Sequence, residues 1–318
     1  VEQLQTKNLT LVNTDCLALL KTLDDNSIDL IATDPPYYKV VDADWDKQWT
    51  TETDFFQWLE QVMTELARVL KPNGSIYLFA GPHTATKVEN AMTKHFTMLN
   101  HLYWAKPSGR WNLSRKEDLR RYFPQTEHIL FAESKKKAPF AYEPIRSHLH
   151  QAIIDAGITQ KQIDQACGIK MSGHWFGKSQ WSMPPEKHYK TIKKLVGNKG
   201  KLKSYKQLYQ EYRQLRDHSN QARRVFNVTK HVPHTNVWTY PSVQYYPGKH
   251  PCEKPLQMMI DIINASSLPG QVVLDCFVGG GSTAVACLKT DRTFIGSELG
   301  KEEYQGAKQR IERALNSV

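Results

Sequence analysis

The apolar run Ser27 to Ala32 reads as a buried strand, and it ends in Thr33-Asp34-Pro35-Pro36-Tyr37. That ending constrains the chain more than any other feature in it. Each proline fixes its own φ and restricts the residue before it, so the carbonyls of Asp34 and Pro35 point in set directions. A carboxylate, two prolines and an aromatic ring at the C-terminal end of a strand make a rigid, polar pocket with a stacking surface. Such a pocket suits an exocyclic amino group on a planar base. Asp34 and a backbone carbonyl each accept one N–H, while Tyr37 lies against the ring. Two fixed acceptors also favour the geometry in which the amino nitrogen, normally delocalised into the ring, becomes nucleophilic. The same five residues also suit a Pro-Pro turn that merely ends a strand, with Asp34 capping the next segment, and by themselves they leave both readings open.

The rest of the first 134 residues alternates strand-like and helix-like segments. Leu9 to Asn13 reads as a strand and Cys16 to Leu23 as a short amphipathic helix. Phe55 to Leu70 carries apolar residues at Phe55, Leu59, Val62, Met63, Leu66 and Leu70, and Lys71-Pro72-Asn73-Gly74 is expected to stop it. Ser75 to Ala80 is predicted as a strand, Thr84 to Phe96 as a helix, and Thr97 to Ala105 and His128 to Ala132 as further strands. Alternation of this kind argues for an α/β fold with a mostly parallel sheet covered by helices. After Asn227 the pattern resumes. Gln271 to Phe277 is a strand running into Val278-Gly279-Gly280-Gly281-Ser282-Thr283, and a helix follows to Leu288. Arg292 to Glu298 is the next strand, and Glu302 to Leu315 a charged closing helix. A strand, a glycine loop, a helix and an acid ending the next strand form a nucleoside-binding unit. The glycines let backbone N–H groups approach a ligand, and Glu298 accepts from two ribose hydroxyls. The loop is not Gly-x-Gly-x-x-Gly, which favours a single nucleoside over a dinucleotide. A tight strand–helix turn is the plainer alternative.

Arg146 to Arg224 differs from both flanks: helical, basic, rich in Gln and without strand signals. Between Lys135 and Lys230 there are 20 Lys+Arg against 6 Asp+Glu, +14 in a chain of net charge +10, so the remainder carries −4. A basic middle on a mildly acidic body is built to hold a polyanion. It lacks the amphipathic stripe of a membrane-surface helix, so nucleic acid is the expected partner. Leu149 to Gly157 followed by Ile158 to Gly168 has helix-turn-helix spacing. In it Thr159 is the N-cap, Ile163 and Ala166 face inward and Gly168 ends the helix. A third helix is expected near Ser172, carrying Gly173-His174-Trp175-Phe176. A helical hairpin packed on the main domain would show the same pattern.

At 318 residues and 40% hydrophobic content the chain can hold one large domain with a sizeable insertion. No apolar stretch approaches bilayer-spanning length, and Val1-Glu2-Gln3 has no signal-peptide pattern. Cys16, Cys167, Cys252, Cys276 and Cys287 form an odd set with no Cys-x-x-Cys pair, which argues for a reducing cytosol and against structural zinc. The twelve histidines are scattered, and no metal site is expected.

Taken together, the motifs resemble those of the beta-class DNA amino-methyltransferases that use S-adenosylmethionine, in particular the adenine-N6 type. The resemblance covers nearly the whole chain. Asp34-Pro35-Pro36-Tyr37 is similar to the family's catalytic motif, and Asp275 to Thr283 to its methionine-binding loop. Glu298 is similar to its ribose-binding acid. His250-Pro251-Cys252-Glu253-Lys254-Pro255 resembles the segment just before the loop, and Asn13-Thr14-Asp15-Cys16 the segment whose acid meets the cofactor's adenine. Leu66 to Gly74 and Glu127 to Phe131 match structural segments of the same fold. Catalytic motif first and cofactor loop last imply a circularly permuted Rossmann-like sheet with an inserted, mostly helical, basic DNA-recognition region. The two chain ends are then neighbours, because Asp15 and Glu298 serve one ligand.

The resemblance implies a catalytic part at 1–145, a helical target-recognition insertion at 146–226 and a cofactor-binding part at 227–318. It implies Asp34, Pro35, Pro36 and Tyr37 as catalytic residues. For S-adenosyl-L-methionine it implies Asp15, Cys16, Asp34, His250, Lys254 and Pro255, together with Asp275, Phe277, Gly279, Gly281, Ser282, Thr283 and Glu298. Candidate DNA contacts are Arg110 and Arg115 in the arm Lys106 to Gln125, which also holds Trp111, Arg120 and Arg121, and Lys170, Ser172, His174 and Lys178 in the insertion. Tyr38 to Asp54, with Trp45 and Trp49, is a second loop expected to close over DNA.

The implied reaction is methyl transfer to N6 of an adenine flipped out of double-stranded DNA. N4-cytosine methylation by the same pocket stays open, as does a DNA-binding regulator on an inactive body. Methylation of RNA or of a protein glutamine fits less well, since those enzymes carry Asn at the first motif position. Cys252 follows a proline, as the nucleophile of C5-cytosine methyltransferases does, but it precedes the cofactor loop and reads as incidental. A cytoplasmic, nucleoid-associated enzyme of bacterial or phage origin is expected. A homodimer and a cognate restriction nuclease are left open.

Overall fold

The computed structural model describes residues 2–39, 47–107, 120, 122, 125–136, 140–221, 223–228 and 235–316. In chain order its elements begin with β1 (Gln3–Thr6), β2 (Leu9–Asn13), α1 (Cys16–Leu20), β3 (Ile28–Thr33) and α2 (Glu52–Val69). Then come β4 (Leu70–Ala80), α3 (Ala85–His95), β5 (Phe96–Ala105) and β6 (Thr126–Ser134). Five helices follow: α4 (Glu143–Asp155), α5 (Gln160–Cys167), α6 (Ser172–Phe176), α7 (Glu186–Val196) and α8 (Tyr205–Gln221). The chain closes with β7 (Val237–Trp238), α9 (Leu256–Ser266), β8 (Val272–Asp275), α10 (Ser282–Lys289), β9 (Thr293–Glu298) and α11 (Lys301–Leu315).

All the strands described belong to one sheet, in the order β1-β2-β9-β8-β3-β4-β6-β5-β7. The centre from β2 to β4 is parallel. β6 is antiparallel to both β4 and β5, β7 runs parallel to β5, and β1 caps the other edge antiparallel to β2. The last two strands of the chain, β8 and β9, are thus inserted between its second and third. This is the permuted Rossmann-like order. It also brings the termini together: Gln305 Nε2 donates to Glu2 Oε2 at 2.5 Å.

Side-chain alternation along β4 sends Tyr77 and Phe79 to one apolar layer, and Ile76, Leu78 and Ala80 to the other. The first layer is completed by α9, α10 and α11, the second by α1, α2 and α3. α2 begins at a capping box in which Thr51 accepts from Asp54 N and Asp54 accepts from Thr51 N. It buries Phe55, Leu59, Val62, Met63, Leu66 and Val69.

The helix does end just before Lys71 to Gly74, at Val69, but those residues are themselves part of a strand, because β4 starts at Leu70, directly after the helix. Ile28 pairs with Leu70 and Leu30 already with Ser75, so these four residues are absorbed as a bulge. The nearly buried Asp29 holds the bulge: it pairs with Lys71 Nζ at 2.7 Å and accepts from Val272 N at 2.9 Å. A Cβ on Gly74 would lie 2.4 Å from Leu70 Cδ1, so a larger residue there would have to displace the Leu70 side chain.

Ala138–Arg223 forms a compact unit apart from the α/β body, which comprises Val1–Lys137 and Arg224–Val318. It holds 15 Lys+Arg against 6 Asp+Glu, +9 of the chain's +10, which leaves the body near neutral rather than acidic. Its own core gathers Ile145, Leu149, Ile163, Trp175, Tyr189 and Leu208. α5 starts at a Thr159–Gln162 capping box and ends at Gly168, where φ is 70°. Ala166 is exposed, contrary to expectation. Cys167, one helical turn beyond Ile163, is the half-buried residue that packs inward. The third helix does start at Ser172, but it is five residues long and buries Trp175 and Phe176. Among the described residues, no helix is long and apolar enough to cross a membrane.

Candidate active site

The parallel strands end at one edge of the sheet, and the register fixes what meets there. Asn13 pairs with Glu298, Gly296 with Asp275, and Leu274 with Ile31. Asp15, Glu298, Asp275 and Asp34 therefore stand along the carboxyl ends of neighbouring strands, where open α/β sheets bind ligands. They line a cleft of about 1030 Å³, solvent-open space included. Of the residues expected from sequence, Cys16, Pro35, Pro36, Tyr37, His250 and Lys254 also line it. So do Phe277, Gly279, Ser282 and Thr283.

Two expected residues are not among the lining. Pro255 is the N-cap of α9. Gly281, with φ 77°, is the N-cap of α10, and a Cβ there would contact Ala307 at 3.5 Å. Both shape the backbone behind the cleft.

The loop after β8 is narrow for a physical reason. Gly279 has φ 49°, and a Cβ on it would sit 3.1 Å from the His250 ring; one on Gly280 would sit 3.1 Å from Glu253 Oε2. The hydroxyls beyond it are committed within the protein. Ser282 Oγ donates to Lys254 O at 2.8 Å, and Thr283 Oγ1 to Asp275 Oδ2 at 2.6 Å. Asp275 Oδ1 accepts from Thr33 Oγ1 at 2.7 Å and from Phe277 N at 3.1 Å. Burial pushes the Asp275 carboxyl up to about 6, against the pull of those three donors.

Glu298 accepts from Gly279 N at 2.8 Å and Gly300 N at 3.0 Å, while burial holds its carboxyl above the usual range. A carboxylate has about four acceptor positions, so Glu298 keeps capacity for hydroxyl donors on a ligand. Asp15 caps α1 through Leu17 N at 2.9 Å and Ala18 N at 3.2 Å. Trp58, which sequence reading did not single out, walls the cleft edge-on to Phe277, ring centroids 5.8 Å apart. Backbone exposed at glycines, an acid with open lone pairs and aromatic walls fit a nucleoside.

At the other end of the cleft Asp34 is held from two sides. Tyr37 Oη donates to its Oδ1 at 2.6 Å, and Lys254 Nζ donates to its Oδ2. Lys254 also donates to Cys252 O at 3.2 Å and lies 3.4 Å from Glu127 Oε2. Burial opposes the Lys254 charge, but Asp34 and Glu127 outweigh it and raise its pKa. Asp34 is shifted up by burial and by Glu127, with Lys254 and Tyr37 pulling the other way. Burial and the charge of Asp34 push the Tyr37 phenol well above its usual range, so it stays a neutral donor. Glu127, despite burial, is shifted down by Lys254 and Lys106. A Cβ at Gly81 would come within 3.0 Å of the Tyr37 ring, so this glycine makes room for the tyrosine.

Residues 28–309 match the family described as DNA methylase, N6_N4_Mtase. The chain belongs to this DNA methylase family. It is 27% identical to the DNA adenine methyltransferase YhdJ of Escherichia coli (strain K12) over 96% of this chain and 83% of that protein. It is 24% identical to the type II methyltransferase M.HpaI of Haemophilus parainfluenzae, over 96% and 75%. The crystal structure of the M1.HpyAVI–SAM complex superposes with a TM-score of 0.55 at 21% identity, covering 95% of this chain and 98% of that one.

The candidate DNA contacts of this DNA methylase fare unevenly. Arg110 and Arg115 lie outside the described residues, as do Trp45, Trp111 and Arg121. Trp49 is no loop-tip residue: it is buried, 4.5 Å from the Trp58 ring and 5.0 Å from Phe55. Ser172 is buried too, its N–H donating to Asp164 Oδ1 at 3.0 Å, which removes its side chain from any DNA-facing set. Lys170 and Lys178 are exposed, the latter 3.7 Å from Glu143, and His174 is half-exposed with Nδ1 3.3 Å from Gln180 O.

Glu127, Trp58 and Gly81 were not legible as site residues. Glu127 is one acid at the mouth of an apolar strand, and nothing local marks its partner.

Proposed function

We propose that this DNA methylase transfers the methyl group of S-adenosylmethionine to N6 of an adenine in double-stranded DNA at a specific sequence. The observation that carries the reading is that Asp34 to Tyr37 and the Gly279–Glu298 unit open onto one cleft, although they lie at opposite ends of the chain. Relatives named as adenine methyltransferases, and Asp as the first motif residue, favour adenine.

S-adenosylmethionine, when bound, supplies an electrophilic methyl on a sulfonium. Glu298 and Asp15 would take its ribose and adenine, and Gly279 and Gly280 would let the backbone approach it. Asp34 and the Pro35 carbonyl accept from the target amine and hold its lone pair toward the cofactor side. Positioning of this kind is the main catalytic device. A base leaves the duplex at roughly a few kcal/mol, of which stacking on Tyr37 returns about 1–3 kcal/mol. The helical unit, with most of the net charge, is assigned to target recognition. The enzyme then works on DNA in the bacterial cytoplasm, as an orphan methylase or beside a cognate nuclease, as one copy or two.

The test is incubation with tritiated S-adenosylmethionine and duplex DNA, followed by nucleoside analysis. N6-methyladenine at one sequence supports the reading. N4-methylcytosine would move the target to cytosine, and no transfer with retained DNA binding would favour a regulator.

A further inference from the structure

We infer that Lys254 and Glu127 are positioning residues for the catalytic carboxylate: Glu127 seats the Lys254 ammonium, and Lys254 sets the orientation and charge of Asp34. The inference rests on the proposed role of Asp34 as acceptor of the target amine.

An ammonium has three donor directions. Two of those of Lys254 go to Asp34 Oδ2 and to Cys252 O at 3.2 Å, and Nζ also forms an ion pair with Glu127 Oε2 at 3.4 Å. These partners are all groups of the protein, whereas resemblance suggested a cofactor contact. The side chain is 8% exposed and passes the Phe79 and Tyr37 rings, 5.0 and 5.8 Å from Nζ. The carbonyl of Lys254 is fixed by Ser282 Oγ, so its backbone and its ammonium head are both anchored.

Glu127 stands on β6 opposite Trp104, with Oε1 held by Lys106 Nζ. Among the described residues its buried Oε2 accepts no hydrogen bond and has only the ion pair to Lys254. A buried carboxylate oxygen whose one charged neighbour is an ammonium holds that ammonium in place, and removing either partner leaves the other uncompensated.

Position and charge follow together. Asp34 is faced by Lys254, Tyr37 and Glu127, with Asp275 acting at longer range, Cys252 beside Lys254, and Lys106 behind Glu127. A protonated Asp34 would lose acceptor capacity toward the amine. Burial and Glu127 drive it that way, and Lys254 opposes them. Removing Lys254 therefore raises the pH at which Asp34 ionises, whereas removing the charge of Glu127 lowers it.

The experiment compares wild type, Lys254→Met and Glu127→Gln. It measures kcat on duplex DNA from about pH 5 to about pH 9, S-adenosylmethionine affinity by calorimetry, and Tm. Lys254→Met is expected to lose at least about 100-fold in kcat with its acidic limb moved to higher pH. Glu127→Gln should lose less, with its limb moved to lower pH. Cofactor Kd should stay within about 3-fold in both. Unmoved limbs overturn the inference. So does a cofactor Kd for Lys254→Met that rises in step with the rate loss, which would make Lys254 a cofactor ligand. Should Lys254→Met fail to fold, the direction of the Glu127→Gln limb decides alone. A wild type that binds cofactor but methylates no DNA would instead refute the proposed function.

Discussion

Thr33 Oγ1 donates to Asp275 Oδ1 at 2.7 Å and accepts from Cys276 N at 3.1 Å. One hydroxyl thereby ties the strand that ends in Asp34 to the strand that ends in the glycine loop, across 242 positions of chain.

Thr33→Val keeps the shape and removes this bridge. It should destabilise the fold by about 2–3 kcal/mol, since it strips a hydrogen bond from a buried carboxylate. Urea unfolding checks the value, and calorimetry should show weaker cofactor binding. An unchanged midpoint would mean that backbone packing alone joins the two strands.

Asp275 titrates near 6 in the folded protein against its ordinary 3.8. The folded state therefore binds the proton more tightly than the unfolded chain does. Its contribution is most favourable below 3.8 and is lost as pH rises to about 6, by up to about 3 kcal/mol. Stability measured across that window in wild type and Asp275→Asn should show the wild type falling relative to the variant as pH rises. Parallel curves would place the group elsewhere.

Asp34→Ala should cut methyl transfer by at least about 100-fold. S-adenosylmethionine affinity should change little, because Glu298 and the glycine loop lie at the other end of the cleft. A tritium-transfer assay beside calorimetry measures both. Retained activity would remove Asp34 from the chemistry.

Gly279→Ala puts a Cβ at φ 49° and 3.1 Å from His250. The left-handed conformation costs about 1–2 kcal/mol in a non-glycine residue. Cofactor affinity should drop about 10-fold, with little change in kcat at saturating cofactor. The Kd from calorimetry is the readout.

Lys170→Gln should weaken binding to all DNA sequences alike and lower the salt slope by about one. Ser172→Ala should leave the methylated sequence unchanged, because its side chain is buried. Binding over a salt series and mapping of methylated sites separate the two. A relaxed site in Ser172→Ala would contradict the burial argument.

What sequence alone determined was local. A strand ending in Asp-Pro-Pro-Tyr, a strand entering three glycines, an acid ending the next strand and a capped helix at Thr159 are read from neighbours within a few residues. Turn chemistry and side-chain period act over that range. The order of those motifs also implied the permutation, since Asp15 and Glu298 had to meet on one ligand.

Tertiary structure decided what depends on register and burial. Lys254 reaches Asp34 across 220 positions, and Glu127 joins them only because β6 lies beside β4. Ala166 is exposed while Cys167 turns inward, and Ser172 and Trp49 are buried, because packing against distant elements chooses a helix face and a loop side. Desolvation does the rest. It turns a lysine and two acids that look ordinary in sequence into one coupled group, as charges removed from water must find one another.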